Sequence, residues 1–199
     1  MVRGEAMLPR EEQDMREAEH KAAALQRIFL TGLSGVGKTT LGQRTASLLG
    51  WSFIDTDDVL AQRMGMPVGQ VLLEYGEERF RQLESEALYE QAKETRVVIA
   101  TGGGIVILAA NRQFMRQHGL TVYLRASVET VWKHLQESDG KTLRPLIAGE
   151  HGQQRLRDLY TTRRAWYEEA ALHLDTEEGP QDLLAQRLIA QARALGYLL

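Results

Sequence analysis

Gly32-Leu33-Ser34-Gly35-Val36-Gly37-Lys38-Thr39 fits the pattern G-x-x-x-x-G-K-[ST]. It follows a short apolar run, Arg27-Ile28-Phe29-Leu30-Thr31, and opens a stretch of helix formers, which is the strand–loop–helix setting this pattern requires. Glycines let backbone N–H groups point inward around an anion without side-chain obstruction. The helix N-terminus adds its partial positive charge. Lys38 can reach the β- and γ-phosphates of a nucleotide, and the Thr39 hydroxyl can ligate Mg²⁺. Gly35, Val36, Gly37 and Thr40 complete the expected nucleotide contacts. The motif implies a nucleoside triphosphate and magnesium. GTPases, ATPases and small-molecule kinases all share it, so it does not choose the reaction.

The phosphate acceptor must come from elsewhere. The run Ser52-Phe53-Ile54 reads as a second strand and ends in Asp55-Thr56-Asp57-Asp58. In a parallel sheet the strand C-termini line the same crevice as the phosphate cradle. Two carboxylates with one residue between them face the same way if the chain is extended there. One can serve the Mg²⁺ shell, directly or through water. The other can accept a hydrogen bond from a substrate hydroxyl and orient it for attack. Asp58, next to Val59, is the expected helix cap. A third strand, residues 96–100, ends in Thr101-Gly102-Gly103-Gly104, where exposed backbone N–H groups allow close approach of a ligand.

These residues need a frame. Further strands are expected at 120–124 and 171–174, and helices at 38–49, 59–64, 68–75, 77–93, 111–118, 128–137, 153–170 and 181–195. Strands alternate with helices throughout, which argues for parallel βαβ units with helices on both faces. The expected architecture is α/β: three αβα layers around a five-stranded parallel sheet of the P-loop NTPase type. Residues 138–152 carry Gly140, Pro145, Gly149 and Gly152 and read as a mobile lid over the site.

Composition limits the alternatives. The 199 residues carry 24 basic and 27 acidic side chains and no cysteine. Disulfides, cysteine-bound metals and a thiol nucleophile are thereby excluded, and the balance gives no bulk attraction to nucleic acid or an acidic membrane. Residues 1–26 form a charged leader, expected to be a disordered or helical tail, with opposite charges at helical spacing such as Glu12 with Arg16 and Glu17 with Lys21. Glu5, Glu11, Glu12, Asp14, Glu17 and Glu19 leave it no apolar signal-peptide core. Residues 27–199 form the expected single domain, and the chain reads as a cytoplasmic monomer without a membrane span.

The ordered set of motifs resembles the shikimate kinases, within the nucleoside-monophosphate-kinase-like P-loop proteins. The set comprises Gly32 to Thr39, Phe53-Ile54-Asp55-Thr56-Asp57, the run Gly76-Glu77-Glu78-Arg79-Phe80-Arg81-Gln82-Leu83-Glu84, Gly102 to Gly104, Leu143-Arg144-Pro145-Leu146, and Arg163-Arg164-Ala165-Trp166-Tyr167. The resemblance covers about residues 27–192. It implies that ATP, as its Mg²⁺ complex, phosphorylates the 3-hydroxyl of shikimate. By the same resemblance Asp55 accompanies Mg²⁺ and Asp57 binds and orients the shikimate hydroxyl, with a role as base the alternative. Arg81 and Arg163 clamp the carboxylate, with Glu84 holding Arg81. Gly102, Gly103 and Gly104 contact the substrate hydroxyls and the γ-phosphate region, and Arg144 is the lid arginine that reaches the transferring group. A bidentate arginine fork is chemically suited to a small carboxylate.

Two positions depart from the family pattern. An arginine usual against adenine has Lys133 as its nearest match, with Trp132 beside it a candidate core residue. The clamp arginine lies in the doublet Arg163-Arg164, followed by Ala165 instead of proline; the spacing to Tyr167 favours Arg163, with Arg164 as the alternative. The stretch from Leu174 to Pro180 resembles the loop that borders adenine. A ligand-sensing domain of a regulator, or a kinase of another hydroxy acid such as gluconate, are the competing readings.

Overall fold

The computed structural model describes residues 26–137, 145–147 and 149–197. The leader through residue 25 and Arg144 lie outside the described residues. Among those described, five strands form one sheet: β1 (Arg27–Thr31), β2 (Ser52–Asp55), β3 (Val97–Ala100), β4 (Leu120–Arg125) and β5 (Leu172–Asp175). Their order is β2-β3-β1-β4-β5, and each neighbouring pair is parallel. β1 is central, with Ile28 opposite Val98 of β3 on one side and Leu120 of β4 on the other. β1 and β3 are buried along their whole length, as a sheet covered on both faces requires.

Among the described residues seven α-helices cover the sheet: α1 (Lys38–Leu49), α2 (Thr56–Met64), α3 (Val68–Gln91), α4 (Ala109–His118), α5 (Val128–Glu137), α6 (Gly152–Tyr167) and α7 (Gln181–Ala194). The expected α/β architecture, with three layers and a five-stranded parallel sheet, is the one observed. The two helices expected at 68–75 and 77–93 are the halves of α3, separated by a non-helical residue at Gly76. None of the described helices is long and apolar enough to cross a membrane.

The chain places β2 and β3 on one side of β1 and β4 and β5 on the other, so the C-terminal ends of the central strands border the ligand crevice of such sheets. The main core lies on the sheet. A second, smaller cluster of Leu60, Val71, Phe80 and Leu83 packs α2 against α3. This satellite core holds the α2–α3 pair beside the crevice.

One boundary differs in a way that matters for the site. α2 begins at Thr56, three residues earlier than expected, because Asp55 is its N-cap and accepts a hydrogen bond from the Asp57 N–H. Asp58 is therefore a first-turn residue and not the cap.

Candidate active site

The phosphate loop joins β1 to α1. Gly37 stands at the N-cap of α1 with φ 99° and no side-chain cap, a left-handed conformation that favours glycine. Lys38 is buried, and its Nζ donates to the carbonyls of Gly32 (3.0 Å) and Leu33 (2.8 Å). The ammonium is thus held over its own loop. Thr39 Oγ1 donates to Asp55 Oδ2 at 2.7 Å, while Asp55 Oδ1 accepts from the Asp57 N–H at 3.0 Å. Asp55 therefore caps α2 and touches Thr39 at once. A hydroxyl and a carboxylate oxygen in contact beside a phosphate loop suit Mg²⁺, which takes one or two protein oxygens and completes its shell with water and phosphate.

The opposite wall is built from side chains. Arg81 on α3 is buried and pairs with Glu84 at 2.5 Å and Glu77 at 3.1 Å. The triple glycine after β3 packs directly on these groups. A Cβ on Gly104 would overlap the Arg81 guanidinium, and one on Gly102 would lie 2.6 Å from Glu84 Oε1 and 2.7 Å from Asp57 Oδ1. Gly102 and Gly104 are thus required by close approach of charged side chains, and Gly103 by the backbone of the phosphate loop at Ser34. Arg163 on α6 is buried, and its Nη1 donates to the Gly103 carbonyl at 3.2 Å; the Tyr167 hydroxyl donates to the same oxygen at 2.5 Å.

Asp57 sits between the two walls. Burial, with the negative charges of Glu84 and Asp55 nearby, pushes its carboxyl up to about 7, against the opposing pull of Lys38. It is therefore poised to change protonation near neutral pH, which suits a group that must accept a proton or a hydrogen bond from a hydroxyl.

Lys38, Thr39, Asp55, Asp57, Arg81, Glu84 and Arg163 border one cleft of about 750 Å³. Leu72, Phe80, Leu146 and Leu156 add apolar surface to it. Gly35, Gly37, Thr40, Gly103 and Gly104 also line it. Val36 is buried in the core, and Gly102 lies against Asp57 and Glu84. Of the arginine doublet, only Arg163 enters the cleft; Arg164 points outward, 60% exposed, and pairs with Glu168.

The two residues expected against adenine, Lys133 and Pro180, do not line the cleft. Lys133 is 74% exposed, pairs with Glu137 and is not among the lining residues. Its neighbour His134 lines the cleft instead, with Nδ1 3.2 Å from the Gly35 carbonyl oxygen. Pro180 is the N-cap residue of α7 and does not line the cleft, whereas Gln181 after it does. Trp132 packs on the core. Lys133 and His134 are neighbours on one helix, where one residue rotates a side chain by about 100°. A short motif match does not resolve that rotation. Glu177 makes a structural tie near this end of the cleft's frame. It accepts from the Ser127 Oγ and N–H ahead of α5, and so ties the segment after β5 to the start of that helix.

A parallel sheet with this order, a phosphate loop after its central strand and an arginine-lined cleft beside it define a P-loop phosphotransferase. Comparison with known proteins narrows the class: the model of the shikimate kinase family matches residues 34–193, most of the chain, and the chain belongs to that family. Shikimate kinase 2 of Serratia proteamaculans (strain 568) is 39% identical over 166 residues, 83% of this chain and 95% of the relative. The solved shikimate kinase from Acinetobacter baumannii in complex with shikimate matches with a TM-score of 0.79 at 35% identity, covering 87% of this chain and 96% of its own. A gluconokinase from Sinorhizobium meliloti 1021 matches with a TM-score of 0.58 at 18% identity over 86% of this chain and 94% of its own, a likeness of fold alone.

Proposed function

We propose that the protein transfers the γ-phosphoryl group of ATP to the 3-hydroxyl of shikimate, giving shikimate 3-phosphate and ADP. The observation that carries this reading is the position of Asp57. It lies in one cleft with Lys38 of the phosphate loop and with Arg81 and Arg163, so a hydroxyl and a carboxylate of one small acid can be addressed together.

The chain's own groups divide the work. Arg81 and Arg163 bind the substrate carboxylate, and an arginine fork does so in bidentate form. Backbone groups of Gly102, Gly103 and Gly104 approach the ring hydroxyls. Asp57 accepts the hydrogen bond of the attacking hydroxyl and orients it toward the phosphate loop. Lys38 leaves the Gly32 and Leu33 carbonyls to meet the phosphates. Catalysis of this kind is positioning plus electrostatic stabilisation of an in-line transfer.

Thr39 and Asp55 would hold Mg²⁺, which when bound neutralises charge on the β- and γ-phosphates. His134 and Gln181, with Pro180 beside them, flank the purine. Arg144 acts as the lid arginine that reaches the transferring group, and lid closure excludes water. In the same reading the protein works as a cytoplasmic monomer on these two small molecules, without nucleic acid or membrane.

A coupled assay of ADP release with ATP and Mg²⁺ tests the proposal. Turnover is expected with shikimate and not with gluconate. Soluble, ATP-binding protein with no shikimate-dependent ADP release would defeat the reading in favour of a ligand-sensing domain, and gluconate-dependent release would reassign the substrate.

A further inference from the structure

One buried polar side chain outside the cleft joins the elements that build its acid-binding wall. Asn111, near the start of α4, is 1% exposed. Its Nδ2 donates to Ser85 Oγ at 3.0 Å and to the Ile105 carbonyl at 3.1 Å, and its Oδ1 accepts from the Tyr89 hydroxyl at 2.8 Å. Ser85 Oγ in turn donates to the Arg81 carbonyl at 2.9 Å. One amide therefore links α3, one turn beyond Arg81, to the residue directly after Gly104. These are the two places whose separation decides how closely the Arg81 guanidinium lies against Gly104. That contact is already so tight that a single methyl on Gly104 would overlap the guanidinium.

We infer that Asn111 is a positioning residue for the substrate carboxylate: it fixes the gap between Arg81 and the triple-glycine turn and so sets the affinity for the acid without touching it. The inference rests on Arg81 binding that carboxylate. Buried amides of this kind are demanding, because a donor or acceptor left unpaired costs more than the bond itself contributed. Asn111 makes three bonds to three residues, which no apolar side chain of similar size reproduces. No hydrogen bond of this linkage reaches the phosphate loop, which meets the turn only where Gly103 packs on Ser34, so its effect falls chiefly on one substrate.

Asn111→Asp is the discriminating variant, since it keeps the size and removes the amide that donates to both Ser85 and Ile105. The expected result is a shikimate KM at least tenfold above the parent with the ATP KM within twofold. Tyr89→Phe removes one bond to the amide from a partly exposed position and should raise the shikimate KM two- to threefold with the same selectivity. It decides the matter if Asn111→Asp does not fold. Calorimetric titration of shikimate and of ADP into each folded variant should show the same split. Unchanged shikimate affinity in Asn111→Asp, or in Tyr89→Phe alone should the first not fold, overturns the inference. So does an equal loss for both substrates accompanied by a lower Tm, which is what a merely structural tie gives. If the parent enzyme itself shows no shikimate-dependent turnover, the functional reading fails first, and the two failures are told apart.

Discussion

The two walls of the cleft are made of different material. The phosphate wall is backbone: eight contiguous residues, with Lys38 steadied by two carbonyls of its own loop. The acid wall is a network of charged side chains drawn from positions between residues 57 and 167, in which Glu84 holds Arg81, Arg81 lies on Gly104, and Arg163 and Tyr167 hold Gly103. A backbone cradle reads any phosphate and serves a whole class of enzymes. A side-chain network is suited to one acid, the role proposed for it here, and each of its members depends on another. Damage to the acid wall should therefore be selective for the acid and should carry a stability cost that damage to the phosphate wall does not.

The largest effect is expected where the walls meet. Asp57→Asn should lower kcat by roughly 10²–10⁴-fold, the range for a lost proton acceptor, with nucleotide affinity nearly intact. Steady-state kinetics beside a nucleotide-binding titration checks this, and near-wild-type turnover would remove Asp57 from its role. The same variant should be more stable than the parent at high pH. The native Asp57 carboxyl stands at about 7, above the ordinary 3.8, so the folded state holds its proton more tightly than the unfolded chain. Wild-type stability then falls as pH rises from about 4 to about 7. The amide has no such dependence, so its Tm advantage opens across that window and is complete above it, at about 2–4 °C per kcal/mol relieved. Identical melting curves at pH 8 would contradict the crowding of carboxylates around Asp57.

Arg81→Ala comes next. Losing one charge-assisted fork costs about 1.5–3 kcal/mol of binding, so the shikimate KM should rise roughly tenfold to a hundredfold with the ATP KM unchanged. It also strands Glu84 in the interior, and an unpaired buried charge costs about 3–5 kcal/mol, so thermal unfolding should show a clear loss. Arg81→Lys keeps the charge without the fork and should fall between. Equal effects on both substrates would erase the distinction between the walls.

The walls also differ in how much of them could be read from the amino-acid order. The phosphate loop is contiguous and set between a strand and a helix, so its residues were legible as a unit, and the five strands followed from short apolar runs, four of them bordered by glycine or aspartate. The triple glycine was legible as a place of close approach, although what approaches it, Arg81 and Glu84 from inside the protein, was not. Asp55 hid its capping role because the helix starts with no turn between strand and cap. Lys133 and His134 could not be separated by motif matching, since the choice rests on helix rotation. Asn111, Ser85 and Tyr89 are ordinary residue types 22 and 26 positions apart in sequence, and only the packed fold brings them together.

A smaller effect should appear in the pH profile. The kcat/KM for shikimate should rise with pH through about 7 as Asp57 ionises. Glu84 is among the charges that raise this carboxyl. Glu84→Gln should therefore move the rising limb to lower pH, on top of any loss of shikimate affinity from the weakened hold on Arg81. A limb that stays in place would mean that Glu84 acts on Arg81 alone.

The smallest change tests the far edge of the acid wall. Tyr167 is buried, stacks on Tyr123 at 5.1 Å between ring centroids, and shares the Gly103 carbonyl with Arg163. Tyr167→Phe keeps the ring and its stacking and removes only the hydroxyl. Arg163 still satisfies the carbonyl, so the loss should be near the 1 kcal/mol of an ordinary hydrogen bond, read as a severalfold rise in shikimate KM and a Tm lower by about 2–4 °C. A far larger loss would mean that Tyr167, and not Arg163, fixes the glycine turn, and that the arginine is free to serve the substrate alone.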